Sequence, residues 1–444
     1  MSSTWEVTKV DEMIRRGVLA LNDGYRLRNV ELGPVGIPFV RGGDIGNGGI
    51  NTSVEDHIRP EFADRVQSKL TRPFDVAFIT KGTVGRVGMV RPGQTQSVFA
   101  PQVCYWRSLD PEQLEPRFLF YLLTSAEFQA NLHAVKTHGS MAADYVSLTD
   151  QRDFRLTFPP IREQKAIAAV LGALDDKIEL NRRMNATLEA MARALFQSWF
   201  VDFDPVRAKL DARPPTGLDR ATAALFPDSF QDSSLGPIPH GWEVCSLANK
   251  IELLSGGTPK TSEPSYWDGD IPWYSVRDAP SETDVWVIHT EKHVTKEGIA
   301  NSAAQILPEG TTIISARGTV GKLALVGTPM AMNQSCYGVR GIKGYGDYFT
   351  YFALRQATAD LQQRTHGTVF DTITRQTFET LDCIFPPANL TATFDRTVAP
   401  LLAQIRANLH QSRTLATLRD TLLPKLLSGE LSVAAASASM EASV

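Results

Sequence analysis

Cysteine is scarce here: Cys104, Cys245, Cys336 and Cys383 lie scattered through 444 residues, and no two have Cys-x-x-Cys spacing. That excludes a zinc knuckle and a disulfide framework, and it fits a reducing compartment. Long apolar runs are also missing. No stretch approaches the roughly 18 residues that cross a bilayer. The opening MSSTWEVTKVDEMIRR puts charges where a signal peptide needs an apolar core. The expectation is a cytoplasmic protein with no membrane association. Positive charge is not in excess either: the net charge is −4 and the pI about 6.1. This counts against nucleic-acid binding unless a basic face is local or a partner supplies the rest.

Catalytic signatures are equally thin. GGTPKTS lacks the glycine before lysine and the upstream glycine of a phosphate-binding loop, and RGGDIGNGG does not match Gly-x-Gly-x-x-Gly. Phe-Pro-Pro occurs twice, but the Asn/Asp-Pro-Pro of an adenine methyltransferase is absent. His289 and His293 are four apart, yet no glutamate stands beside His289 and no cysteine pair accompanies them. No nuclease-like carboxylate cluster stands out. The sequence therefore points to no catalytic residues, no metal and no cofactor of its own.

What is present is repetition. The chain is too long for one ordinary core and suits two to four domains. Trp5-Glu6-Val7 returns as Trp242-Glu243-Val244, and Ile37-Pro38-Phe39 as Ile271-Pro272-Trp273. Lys81-Gly82-Thr83-Val84-Gly85 returns as Arg317-Gly318-Thr319-Val320-Gly321. His138-Gly139-Ser140 returns as His366-Gly367-Thr368, and Phe158-Pro159-Pro160 as Phe385-Pro386-Pro387. The order is kept while the offset drifts from 237 (5 to 242) to 227 (158 to 385), as loop-length changes would produce. The chain is a tandem duplication. Each half has a turn-rich stretch with short β-like runs such as FDVAFIT and TTIISA, then a helical piece, then Phe-Pro-Pro and a long helix.

In the first long helix Leu171, Leu174, Ile178, Asn181, Asn185, Leu188, Ala192, Leu195 and Trp199 alternate at spacings of three and four. This is the seam of a coiled coil. A shift of 227 gives Val398, Leu401, Ile405, Asn408, Ser412, Leu415, Arg419, Leu422 and Leu426. Asn181 and Asn408 share a level, where a buried amide penalises register slips. Arg419 breaks the pattern, with Leu418 able to take its place, and Pro424 must bend or end the helix. An amphipathic core helix in each domain is the plainer alternative. Length argues against it, since roughly 38 residues make a rod of about 57 Å.

IREQKAIAAVLGALDDKIELNRRMNATLEAMARALFQSWFVDFDPV, LGPIPHGWEV, SGGTPKTSEPSYWDGDIPWYSVRD, ARGTVGK and the terminal LRDTLLPKLLSGEL together resemble the specificity subunit of type I restriction–modification enzymes. The resemblance covers nearly the whole chain. It implies an α+β architecture: two mixed α/β target recognition domains separated by two long helices in an antiparallel coiled coil, with a pseudo-twofold internal repeat. It implies recognition domains over 1–158 and 241–385, spacer helices over 159–203 and 386–432, a linker over 204–240 and a disordered tail over 433–444. Each domain would read one half of a split, asymmetric site in double-stranded DNA. The helices would set the gap and dock two copies of a methyltransferase subunit. A motor-nuclease subunit would complete the complex, with S-adenosylmethionine, ATP and magnesium expected on those partners. A self-contained methyltransferase or nuclease is the alternative, and it lacks its motifs here.

Two departures matter. Ile161-Arg162-Glu163-Gln164 has become Ala388-Asn389-Leu390-Thr391 in the second half, and SGGTPKTSEPSYW has no visible counterpart in the first. The two domains should therefore read different half-sites.

Arginine and lysine pair with guanine or neutralise phosphate, and glycine-rich turns let backbone amides approach phosphate. The DNA-binding candidates are Arg41, Lys81 and Arg86 in the first half and Lys260, Arg277, Arg317 and Lys322 in the second. For any one of them a solvated charge beside a structural turn is equally good. Gln102 and Asn333-Gln334 could match the adenine edge, although such amides usually cap turns. Tyr266, Trp267 and Trp273 read as core aromatics near the loop, and His138 and His366 as turn residues.

Overall fold

The computed structural model describes residues 5–46, 48–138, 145–364 and 372–436. Two compact units emerge, Met1–Asp176 with Leu415–Val444, and Lys177–Thr414.

In the first unit, Glu6–Lys9 pairs antiparallel with Arg155–Phe158, so the ends of the globular stretch close on each other. An antiparallel sheet runs in the order Leu19–Asp23, Val103–Ser108, Val76–Ile79, Val87–Met89. In a smaller sheet Ile37–Val40 runs parallel to Val98–Phe99 and antiparallel to His57–Ile58. Val76–Ile79 is buried on both faces and is accordingly apolar throughout. Beneath the larger sheet Phe78, Trp106 and Phe128 meet edge to face, with centroids 5.1–6.1 Å apart. The indole of Trp106, fully buried, donates to Gln151 at 2.9 Å.

The second unit repeats the plan, with one strand more in the larger sheet and one fewer in the smaller. Glu243–Ser246 pairs with Asp382–Phe385. The larger sheet runs Ile251–Ser255, Cys336–Gly341, Thr312–Ser315, Leu323–Val326, and Trp286–Val287 adds a parallel edge strand. Trp267–Tyr274 runs parallel to Ala331–Met332 and antiparallel to Lys292–Val294. The duplication read from spacing is thus a duplication of topology.

The long helices span Ile161–Phe196 and Ala388–Leu427. The first passes into a wider turn at Gln197–Val201. Phe196, Trp199, Phe200 and Phe203 then enter an aromatic cluster with Trp242, Phe349 and Phe394. Residues 204–240, expected as a linker, carry helices Asp204–Leu210 and Arg220–Ala224 and the strand pair Phe230–Gln231 with Ile238–Pro239. Phe226 and Ile238 are buried in the same core, and that apolar content explains why this proline-rich stretch is ordered. At the other end of the chain, Val433–Ala436 is helical and Ala436 is buried; the rest of the expected tail lies outside the described residues.

Within each unit the two helices meet in antiparallel order. In the first, Arg419 donates to Asp175 at 2.7 Å; in the second, Asn181 donates to Ser412 at 3.1 Å and Asn408 to Asn185 at 2.9 Å. Of the seam positions, Leu171, Leu174, Asn181, Asn185, Ala192, Val398, Ile405, Asn408, Leu415, Leu422 and Leu426 are buried. Ile178, Leu188, Leu195 and Leu401 are half-buried. Arg419 is itself the polar seam residue. Its partner Asp175 also accepts from Tyr121 at 2.6 Å, so the pattern breaks for an ion pair rather than shifting to Leu418. The helix runs through Pro424 for one more turn before Gly429, at φ 73°, ends it.

Candidate nucleic-acid interface

Four loops in each half follow strand ends and are tied to one another through the backbone. The repeated Gly-Thr-Val-Gly closes a hairpin in the same way twice. Gly85 N donates to Ile79 O at 3.0 Å and Ile79 N to Arg86 O at 3.1 Å. Gly321 N donates to Ser315 O at 2.9 Å and Ser315 N to Lys322 O at 2.9 Å. The glycines hold φ of 87° and 97° in the first turn and 78° and 85° in the second. These are left-handed values that glycine reaches without strain. Thr80 N to Gln102 O and Ala316 N to Ser335 O, both 2.8 Å, join this turn to the next loop. Ala100 N to Val40 O at 2.8 Å and Asn333 N to Tyr274 O at 2.9 Å join that loop to a third.

The third loop is where the halves diverge on one backbone. In RGGD, Asp44 N donates to Arg41 O at 3.0 Å and the Asp44 carboxylate accepts from Arg41 N at 2.8 Å. In SVRD, Asp278 N donates to Ser275 O at 2.9 Å and its carboxylate accepts from Ser275 N at 2.8 Å. The turn is the same, but its arginine stands first in one half and third in the other.

The fourth loop corrects the sequence comparison, because SGGTPKTSEPSYW does have a counterpart. Gly24 packs where a Cβ would collide with the Ala100 carbonyl, as one on Gly256 would with that of Asn333. Tyr25 N donates to Phe99 O at 2.8 Å and Gly257 N to Met332 O at 2.9 Å. Glu31 N then donates to Arg28 O at 2.9 Å and Glu263 N to Lys260 O at 3.1 Å. Asp23-Gly24-Tyr25-Arg26-Leu27-Arg28 is therefore the first-half version, and Arg28 is the residue matching Lys260. The available signal was a glycine followed four residues later by a cation; one glycine in place of two hid it.

All seven predicted cations are exposed on these loops. Lys81, Lys260, Arg277, Arg317 and Lys322 have no side-chain partner among the described residues. Arg41 is held by Asp56 at 2.6 Å, and Arg86 donates to Ile45 O at 3.2 Å. Lys81 and Arg317 each form an isolated antiparallel bridge, to Tyr145 and Thr372 respectively. Tyr145, which is exposed, escaped the sequence reading because a threonine takes its place in the second half, where Asp144-Tyr145-Val146-Ser147 returns as Asp371-Thr372-Ile373-Thr374. Gln102 and Asn333 lie in the joining loop, where the Asn333 side chain accepts from Ser335 N at 3.0 Å in a turn-capping role; Gln334 pairs with Thr258. Trp273 is buried and its indole donates to Gly257 O at 3.0 Å, while Trp267 packs edge-on against it. These are framework aromatics. His138 ends a helix and His366 lies outside the described residues. His289 is kept below its usual pKa by burial, helped by the charges of Arg413 and His293. Among the described residues no three His, Cys, Asp or Glu side chains gather as metal ligands, and no helix is long and apolar enough to cross a membrane.

The model of the family described as "Type I restriction modification DNA specificity domain" matches residues 2–190 and again 239–409. The chain belongs to this family. The double match follows the duplication of strands and loops. The subunit is 27% identical over 357 residues to the HindI type I restriction enzyme specificity subunit of Haemophilus influenzae, covering 71% of this chain and 77% of that one. It is 25% identical over 320 residues to the MjaIX specificity subunit of Methanocaldococcus jannaschii, covering 71% and 68%. Its fold is similar to that of the S subunit of a type I restriction–modification system from M. genitalium, with a TM-score of 0.52 and 17% identity over 96% of each chain. The role of the family is DNA sequence recognition, with catalysis on partner subunits. Membership sets aside the reading as a self-contained methyltransferase or nuclease.

Proposed function

We propose that the subunit reads a split, asymmetric target in double-stranded DNA, each half of the repeat taking one half-site through its four loops. The observation that carries this is the recurrence of one loop framework with exposed, unpaired cations on it, Lys81 in one half and Arg317 and Lys322 in the other. Unpaired guanidinium and ammonium groups beside open glycine turns suit contacts to phosphate and to guanine edges. Lys260 and Arg277 belong to the second-half set, and Arg41 and Arg86 to the first. Arg41 must exchange Asp56 for DNA, so it contributes less. The different places of Arg41 and Arg277 on one turn support different half-site sequences.

The long helices set the number of base pairs between the half-sites and dock two copies of a methyltransferase subunit. That complex joins a motor-nuclease subunit, and S-adenosylmethionine, ATP and magnesium are bound by those partners. The four free cysteines suit work in the cytoplasm.

The test is to map methylated adenines in a host genome with and without the chain, then with residues 1–150 exchanged for another such domain. One half of the motif is expected to change. A change in both halves, or in neither, refutes the reading. Inserting a heptad in both helices should widen the gap, and an unchanged gap removes the helices from that role.

A further inference from the structure

The two Gly-Thr-Val-Gly turns are alike in backbone but not in what stands behind them. In the first unit Gln129, on helix Ala126–His138, donates its side-chain amide to Gly85 O at 2.9 Å and to Leu123 O at 3.4 Å. Its carboxamide lies so close to Gly85 that a Cβ there would collide with Oε1. Gln129 thus ties the last residue of the turn to a helix whose Phe128 is fully buried in the aromatic core. In the second unit no side chain of helix Asp347–Arg364 reaches the Gly321 carbonyl among the described residues. The turn flanks instead a cleft of about 430 Å³, lined by Val320, Gly321, Lys322, Arg355 and Gln356 among others. Gln356, which could fill it, is turned along its own helix to Asp360 at 2.9 Å.

The geometry points to Gln129 as a positioning residue for DNA recognition by the first half: it holds the Lys81–Arg86 turn against the sheet so that its cations meet the half-site in one geometry. The second turn has no such tie to its helix and is held from its own strand instead, where the Ser315 hydroxyl donates to Thr319 O at 2.5 Å and accepts from Lys322 N at 2.8 Å. Selectivity needs the contacting groups fixed to a fraction of an ångström by a supporting shell. Losing the brace therefore costs discrimination in one half-site before it costs the fold. This rests on the reading of the turns as DNA contacts.

The experiment uses the full chain assembled with its methyltransferase partner. Binding is measured to duplexes carrying the mapped motif and to duplexes with one base pair changed in either half. The variants are Gln129→Met, which keeps the volume and loses the amide, and Lys81→Ala as the control for the turn itself. Gln129→Met should lower discrimination about three- to tenfold in the half-site assigned to residues 1–150, leaving the other half-site and the unfolding midpoint unchanged. Gln129→His, which keeps a ring N–H donor, should restore part of it. Equal losses in both half-sites, or a lowered unfolding midpoint, would mean a merely structural role and overturn the inference. An effect of Lys81→Ala with none of Gln129→Met overturns the inference alone. No effect of either overturns the reading of the turn, and the inference with it.

Discussion

Asn408 donates through Nδ2 to Asn185 Oδ1 at 2.9 Å, and the matching bond from Asn181 Nδ2 goes to Ser412 Oγ at 3.1 Å. Serine stands where symmetry would put a second amide, Asn181 Nδ2 also donates to Gln411 Oε1 at 2.9 Å, and Asn181 Oδ1 is left buried with no partner among the described residues. An unmade bond at a buried polar atom is costly, and a made one is worth less than the orphan loses. Asn408→Ala should therefore destabilise by about 1–3 kcal/mol, because it orphans Asn185 Oδ1 as well. Ser412→Asn offers a donor to Asn181 and should stabilise by about 0.5–1.5 kcal/mol. Urea unfolding of both variants checks the pair; a Ser412→Asn protein less stable than the parent would mean that the level has no room for a second amide.

Two classes of glycine in the loops should behave differently. Gly82 and Gly318 have open space where a Cβ would stand and need only their positive φ. Alanine at either should cost about 1–2 kcal/mol through backbone strain alone. Gly24 and Gly256 have no positive φ but face a carbonyl oxygen where the Cβ would go. Alanine there must push two backbone segments apart, and the expected loss exceeds about 3 kcal/mol. Thermal unfolding of the four variants ranks them, and similar costs across the set would refute the distinction.

That contrast also marks how far sequence could go. The repeat and the long rods were legible because both are periodic: one framework occurs twice, and apolar residues recur at three and four. Gly24 was invisible as the partner of Gly256, since the requirement for glycine comes from Ala100, distant in sequence. Arg28 was lost with it. Arg41 and Arg277 were both found, yet their relation was not, because only the backbone shows that they occupy different places on one turn. The irregular seam at Arg419 was visible as a misfit, while its resolution by Asp175 and Tyr121 needed the packing of a third helix.

Asp175 should be the costlier member of that ion pair to remove. Its carboxylate is buried and serves Tyr121 OH at 2.6 Å and Arg419 at 2.7 Å. Asp175→Ala leaves the buried phenol without its acceptor and Arg419 with Asp420 alone, to which it also donates at 2.9 Å, so the expected cost is that of an orphaned buried donor, about 1–3 kcal/mol. Exchanging Arg419 and Asp175 together for leucines of similar bulk should recover little of it, because the phenol stays without an acceptor. A double variant as stable as the parent would show that the arginine, not the tyrosine, sets the cost.

Asp395 gives the fold a pH dependence of known sign. Burial pushes its carboxyl up to about 6, partly opposed by the amides of Phe349 and Tyr348, which donate to it at 2.7 and 3.2 Å. A folded pKa above the unfolded value of 3.8 means a contribution fully present below pH 3.8 and lost as pH rises through about 6. Its size is at most about 3 kcal/mol. Asp395→Asn should flatten the stability profile between pH 4 and pH 6. An unaltered slope in denaturant titrations across that range would assign it to other carboxylates.

Arg317 and Lys322 flank one turn and should fail in different ways. A guanidinium can pair with guanine through two parallel bonds, whereas an ammonium is a point charge that suits phosphate. Arg317→Ala should weaken cognate binding by about 1–3 kcal/mol and blunt the preference at one base position. Lys322→Ala should weaken binding to every sequence alike and reduce the slope of log K against log salt by about 1. Titrations of cognate and scrambled duplexes at several salt concentrations separate the two effects. If Arg317→Ala lowers both affinities equally and Lys322→Ala leaves the slope intact, the assignment of base and phosphate contacts to this turn is wrong.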